Sequence, residues 1–114
     1  MISLLMALAA AAGPATERRC GWIDNPTPAN WWLTDRHGEW LLSSQGGYRA
    51  RGMDNMPDMT TRGWVRTNGN YGYGCACMSV RTDRRNARVT QLISARPVPL
   101  AQCRSDRALP RRPD

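Results

Sequence analysis

At 114 residues the chain has room for one small core and no more, which excludes a multidomain architecture. Its single histidine and the lack of any dense catalytic signature give no ground for assigning an enzyme, so no catalytic residue is named. The net charge is +7, with arginine as the only basic residue type, and it favours acidic partners in general.

The chain opens with Met1 to Ala12, an uncharged apolar block ending in small residues, followed by Gly13-Pro14-Ala15-Thr16. This is the apolar region and cleavage zone of a secretory signal peptide, with cleavage expected after Ala12 or Ala15. The positive residues that usually precede such a block are missing after Met1. A membrane span needs about 20 apolar residues, more than Gly13 and Pro14 allow here, so no membrane span is expected. Cys20 follows Glu17-Arg18-Arg19 rather than a small-residue box, which argues against lipid anchoring. The expected organisation is a signal peptide over 1–15, a single β-rich domain over 16–109 and a flexible tail over 110–114.

Turn residues punctuate the rest at short intervals without a long 3.6-residue period, which predicts a mainly β fold. The first predicted hairpin joins 31–34 to 39–42 across Asp35-Arg36-His37-Gly38 and puts Trp31, Leu33, Trp40 and Leu42 on the core face. Trp32 and Leu41 fall on the opposite face. A loop then carries Met53, Met56 and Met59 at regular spacing; soft thioethers select Cu(I), while methionine is also a common gap filler. Asn68-Gly69 is the turn of a second predicted hairpin, with Trp64 across from Tyr73. The third pairs 75–82 with 87–94 around Asp83-Arg84-Arg85-Asn86. It places Ala76, Met78 and Val80 with Val89 and Ile93, and sets Cys75, Cys77 and Leu92 on the other face. A short helix over 99–104 carries Cys103, with Pro99 near its first turn. The predicted whole is a small antiparallel meander that can curl toward a barrel, with the segments carrying Cys20 and Cys103 crossing the face that bears Cys75 and Cys77.

Four cysteines behind an export leader are read as a disulfide framework. Cys75 cannot close on Cys77 without a small strained ring, so each pairs with Cys20 or Cys103, in one of two ways. By the chain-entropy model each bridge contributes about 3.5 to 4 kcal/mol. Two rival readings use the same atoms: a redox-active Cys75-Ala76-Cys77 pair, and a zinc site with His37 that lacks the usual Cys-x-x-Cys knuckles. The location that follows is periplasmic or secreted.

Nine arginines face three acidic residues over 81–114, whereas seven face six over 17–80, so the basic patch is C-terminal. Outside the cytoplasm its partners are an anionic envelope polymer, a glycan or an acidic protein, and no nucleic acid is expected. A second candidate surface consists of Trp32, Tyr48, Asn30 and Gln45, an aromatic platform with amide neighbours. His37 beside Asp35, and Asp24 with Glu39 as a carboxylate pair, are the weaker catalytic options. Neither a metal nor a cofactor is assigned.

The run Cys20-Gly21-Trp22-Ile23-Asp24-Asn25-Pro26, followed by Asn30-Trp31-Trp32-Leu33, Gly38-Glu39-Trp40, Gln45-Gly46-Gly47, Trp64-Val65-Arg66-Thr67-Asn68-Gly69 and Tyr71-Gly72-Tyr73-Gly74-Cys75-Ala76-Cys77, resembles a family of small exported bacterial proteins described as a domain of unknown function. The resemblance runs from about Cys20 to Leu109 and implies an exported single domain with cysteines at these four positions. It implies no activity, and the methionine triplet lies outside the shared pattern. The function expected is that of a non-enzymatic, disulfide-stabilised binding or structural module of the cell envelope. A thiol-redox protein and a Met-loop copper protein are the alternatives.

Overall fold

The computed structural model describes residues 15–112, so the expected leader lies almost wholly outside the described residues. Six strands form one mixed sheet: β1 (Glu17–Thr27), β2 (Asn30–Asp35), β3 (Gly38–Ser43), β4 (Val65–Asn68), β5 (Tyr71–Asp83) and β6 (Arg88–Val98). A short helix, α1 (Leu100–Arg104), follows them with Pro99 at its N-cap. The chain is mainly β, as its turn-rich pattern predicts. No helix among the described residues is long and apolar enough to cross a membrane.

The simple meander is corrected in two respects. The Cys20 segment does not cross the sheet; it is a strand within it, hydrogen-bonded to β2 on one side and to β5 on the other. In addition, β3 meets β6 in parallel through Leu41 and Arg88. The pairings therefore run β1, β2, β3, β6, β5 and back to β1.

Side-chain alternation along β5 divides the interior. Ala76, Met78 and Val80 enter a first core with Ile23, Leu33, Trp40, Leu42, Val89 and Leu92. Tyr73, Cys75 and Cys77 enter a smaller second core with Trp22, Val98, Cys103 and Leu109. Neighbours along β1 diverge in the same way, Trp22 to the second core and Ile23 to the first, as the two-residue period of a strand requires.

The β2–β3 register agrees with expectation at Leu33 opposite Trp40 and Thr34 opposite Glu39, and Asp35 also pairs with Gly38, which shortens the turn to Arg36-His37. In the second hairpin the tyrosine partner shifts by one residue: Val65, not Trp64, lies opposite Tyr73, because Asn68 pairs with Tyr71 and the register slips between Arg66 and Asn68. Trp64 instead lies against Gly74, where a Cβ would come within 3.0 Å of its ring. The third hairpin is also corrected. Register shifts between Ser79 and Val80 and between Arg81 and Thr82 advance the phase of β6, so Leu92 is buried in the first core and Ile93 is 38% exposed.

Candidate functional site

The bridges are Cys20–Cys77, which ties β1 to β5 at directly opposed positions, and Cys75–Cys103, which ties α1 to β5. All four sulfurs are thereby engaged, so the Cys75-Ala76-Cys77 triplet presents no free thiol for redox or zinc chemistry. Gln102 Nε2 lies 3.6 Å from Cys77 Sγ and helps seat the helix.

After α1 the chain leaves the sheet and returns. Leu109 is buried in the second core, Trp22 Nε1 donates to the carbonyl of Pro110 at 2.8 Å, and both guanidinium Nη atoms of Arg112 donate to Asp24 at 2.7 and 2.8 Å. The segment expected as a flexible tail thus begins as a docked strap over 110–112; residues 113–114 lie outside the described residues. The loop itself forms a cleft of about 640 Å³ lined by Arg104, Arg107, Arg111 and Arg112, with Asp106 as its one acid among the described residues. Asp106 Oδ1 already accepts from the Ala108 amide at 2.9 Å.

Asp106 also lines a second cleft of about 320 Å³, together with Arg18, Arg36 and His37. Arg18 in turn borders a smaller hollow of about 170 Å³ with Arg96. Through these shared residues the three depressions adjoin. The acids at the base of the middle one are held by Arg19, whose Nη1 donates to Asp35 at 2.7 Å and whose Nη2 donates to Glu17. Arg19 is 6% exposed and stacks 4.1 Å from the centroid of the Trp40 ring, and its Nε is buried without a hydrogen-bond partner. Burial raises the Asp35 carboxyl, but hydrogen bonds from Arg19, Trp40 and the His37 amide outweigh it and hold the group below its usual range. Glu17 is lowered first by the hydroxyl of Thr82, against burial, and then by Arg19. Both acids therefore act as fixed counterions within the fold.

The other candidate residues are dispersed. Trp32 is half-buried, opposite Asp24 and Leu41 in the register and so on the second-core side of the sheet. Tyr48 packs against the first core, donates to the carbonyl of Val89 at 2.8 Å and lies under Arg88. Asn30 and Gln45 meet only through the backbone of Gln45, whose main-chain N–H donates to Asn30 Oδ1 at 2.8 Å, and Asn30 also braces the β1–β2 turn through Thr27. Met53 and Met59 are buried in the first core and Met56 packs against it, the position of fillers. His37 is exposed; its backbone amide donates to Asp35 Oδ1, an oxygen that also accepts from Trp40. Asp24 is held by Arg112, while Glu39 is exposed on β3.

Sequence reasoning placed the basic surface in the last third alone. It missed Arg18 and Arg36, which the β1–β5 pairing and the β2–β3 turn bring to the middle cleft, next to the one lined by the C-terminal arginines. The position of Arg18 two residues before Cys20 was the available signal, because any bridge from Cys20 to the triplet carries Arg18 to the C-terminal side of the molecule.

These features define a small mixed β domain held by two disulfides, a construction suited to an oxidising, extracytoplasmic environment. The chain belongs to the family described as a protein of unknown function, DUF4087, whose model matches residues 14–110. No curated protein and no solved structure matches it.

Proposed function

We propose that this domain is a non-enzymatic binding module of the bacterial periplasm or exterior, which holds an extended anionic polymer along the three adjoining clefts. The observation that carries the reading is their continuity. Arg96 and Arg18 share one hollow, Arg18 and Arg36 the next, and Asp106 joins that one to the cleft of Arg104, Arg107 and Arg111. A guanidinium remains charged at any working pH and presents a planar fork that matches carboxylate and phosphate, so a row of them selects spaced anions without a deep pocket. Among the described residues the nearby acids reduce the row's charge without cancelling it: Arg19 offsets one of Glu17 and Asp35, Asp106 keeps its charge while accepting from a backbone amide, and Arg18, Arg36, Arg96, Arg107 and Arg111 outnumber the two charges left. A rigid base suits the role: the track rests on β1 and β5 and on a helix held by a disulfide.

The test is titration of polygalacturonate and polyphosphate against the purified protein at several salt concentrations. Binding is expected to weaken steeply with salt, and Arg18→Glu combined with Arg107→Glu should weaken it by about tenfold or more. Reversing Arg51 and Arg66, which line none of these clefts, should cost much less. Equal losses from both double variants would reduce the reading to net charge alone, and absence of binding at low salt would end it.

A further inference from the structure

We infer that Trp22, Asp24 and Tyr73 form a guanidinium-binding corner that this chain fills with its own Arg112, and that the corner takes an arginine side chain from a peptide partner. This goes beyond the anionic-polymer reading and does not depend on it.

The corner has the parts that select a guanidinium over a simple cation. Asp24 offers both carboxylate oxygens and is bound by two parallel N–H groups at 2.7 and 2.8 Å. Its side chain is only 12% exposed, so the bonds form in partly desolvated surroundings. The Arg112 guanidinium carbon lies 5.0 Å from the centroid of the Tyr73 ring and 5.5 Å from that of Trp22. The two rings meet edge to face at 77°, and the bond from Trp22 Nε1 to the Pro110 carbonyl orients the indole. Trp22, Asp24 and Tyr73 all come from the paired strands β1 and β5, where Asp24 and Tyr73 are directly opposed. A carboxylate and two rings are thus set in rigid strands while the occupant arrives on a strap.

Two further facts separate receptor from occupant. The family match spans 14–110, so it contains Trp22, Asp24 and Tyr73 but not Arg112. The Arg112 side chain is 22% exposed, so the filled corner opens to solvent, and Glu39 adds a favourable field from outside. An occupant on a short strap competes at a high effective concentration, which hides the site from ligands in solution.

The experiment titrates N-acetyl-arginine amide, with N-acetyl-lysine amide as the comparison, into the full chain, Arg112→Ala, and Arg112→Ala combined with Asp24→Asn, following the indole resonance of Trp22 by NMR. Arg112→Ala should bind the arginine derivative at least about tenfold more tightly than the full chain does, and prefer it over lysine. The added Asp24→Asn change should abolish that binding. In the unaltered chain, saturating arginine derivative should move the Arg112 Nε–H signal toward the position of a solvated guanidinium, a readout that needs no variant. A folded Arg112→Ala protein without saturable binding would overturn the inference, as would equal affinity for arginine and lysine or an unmoved Arg112 signal at saturation.

Discussion

Arg19 makes the sharpest demand on its surroundings of any side chain in the molecule. It is charged and buried on β1 against the β2–β3 hairpin, and among the described residues the carboxylates of Asp35 and Glu17 and the face of Trp40 compensate for the water it has lost. Removing Asp35 leaves the buried Arg19 with the more exposed Glu17 as its one carboxylate and takes the acceptor from the Trp40 indole and the His37 amide. Asp35→Ala is accordingly expected to destabilise the fold by about 3 to 5 kcal/mol in urea unfolding, with Asp35→Asn less severe because the amide still accepts. The same pair sets the response to acid. Folded-state pKa values lowered at Asp35 and Glu17 contribute stability that is present above their unfolded values, near pH 4, and lost as pH falls through the folded ones. Unfolding midpoints measured from about pH 6 down to 2 should therefore fall below about pH 4, and Asp35→Asn should flatten the curve.

At the scale of elements, what could be read in the sequence depended on which faces of a strand are covered. The β2–β3 register was legible from Trp32 to Thr34 because Leu33, Trp40 and Leu42 alternate with residues left outside the core and Gly38, at φ 121°, supplies the backbone the turn needs, whereas a register shift sets Trp31 opposite Ser43 and not Leu42. β1 was not, because Trp22 and Ile23 are both buried and no alternation marks it. The phase of β6 failed for a different reason: Val89-Thr90-Gln91-Leu92-Ile93 contains two register shifts, and bulges leave no necessary trace in residue type. The candidate surface suffered similarly, since Tyr48 and Trp32 are close in sequence but Tyr48 belongs to the first core and Trp32 to the other side of the sheet. One loop position is fully determined by geometry. Gly52 has φ 79°, and a Cβ there would lie 2.1 Å from the Leu92 carbonyl oxygen. Gly52→Ala should cost about 2 kcal/mol or more, seen as a lowered denaturant midpoint with an unchanged slope.

For the whole molecule, the four-cysteine framework was legible and the pairing was not, since both arrangements join one triplet residue to each outer cysteine. The structure selects the pairing in which Cys20 lies opposite Cys77 on adjacent strands. The two bridges close spans of 57 and 28 residues, so replacing Cys20 and Cys77 by serine should cost about 4 kcal/mol and replacing Cys75 and Cys103 about 3.5. Their effects on binding should differ more than their effects on stability. Only the Cys75–Cys103 bridge holds α1 and the arginine loop that follows it, so its loss is expected to weaken polyanion binding more strongly, measured under conditions where both variants remain folded.

The double pairing of β1 also bears on how the chain reaches this state. Protein synthesis runs from the N-terminus, so β1 exists before β5, against which Glu17 through Asn25 are paired. Until β5 arrives, one side of β1 has its backbone groups unmatched, and the face carrying Trp22 lacks Tyr73, Val98 and Leu109. Contacts so distant along the chain make folding slow compared with local hairpins. β1, made before β5, is thus completed only after it, and during that interval its open edge is exposed to a wrong partner.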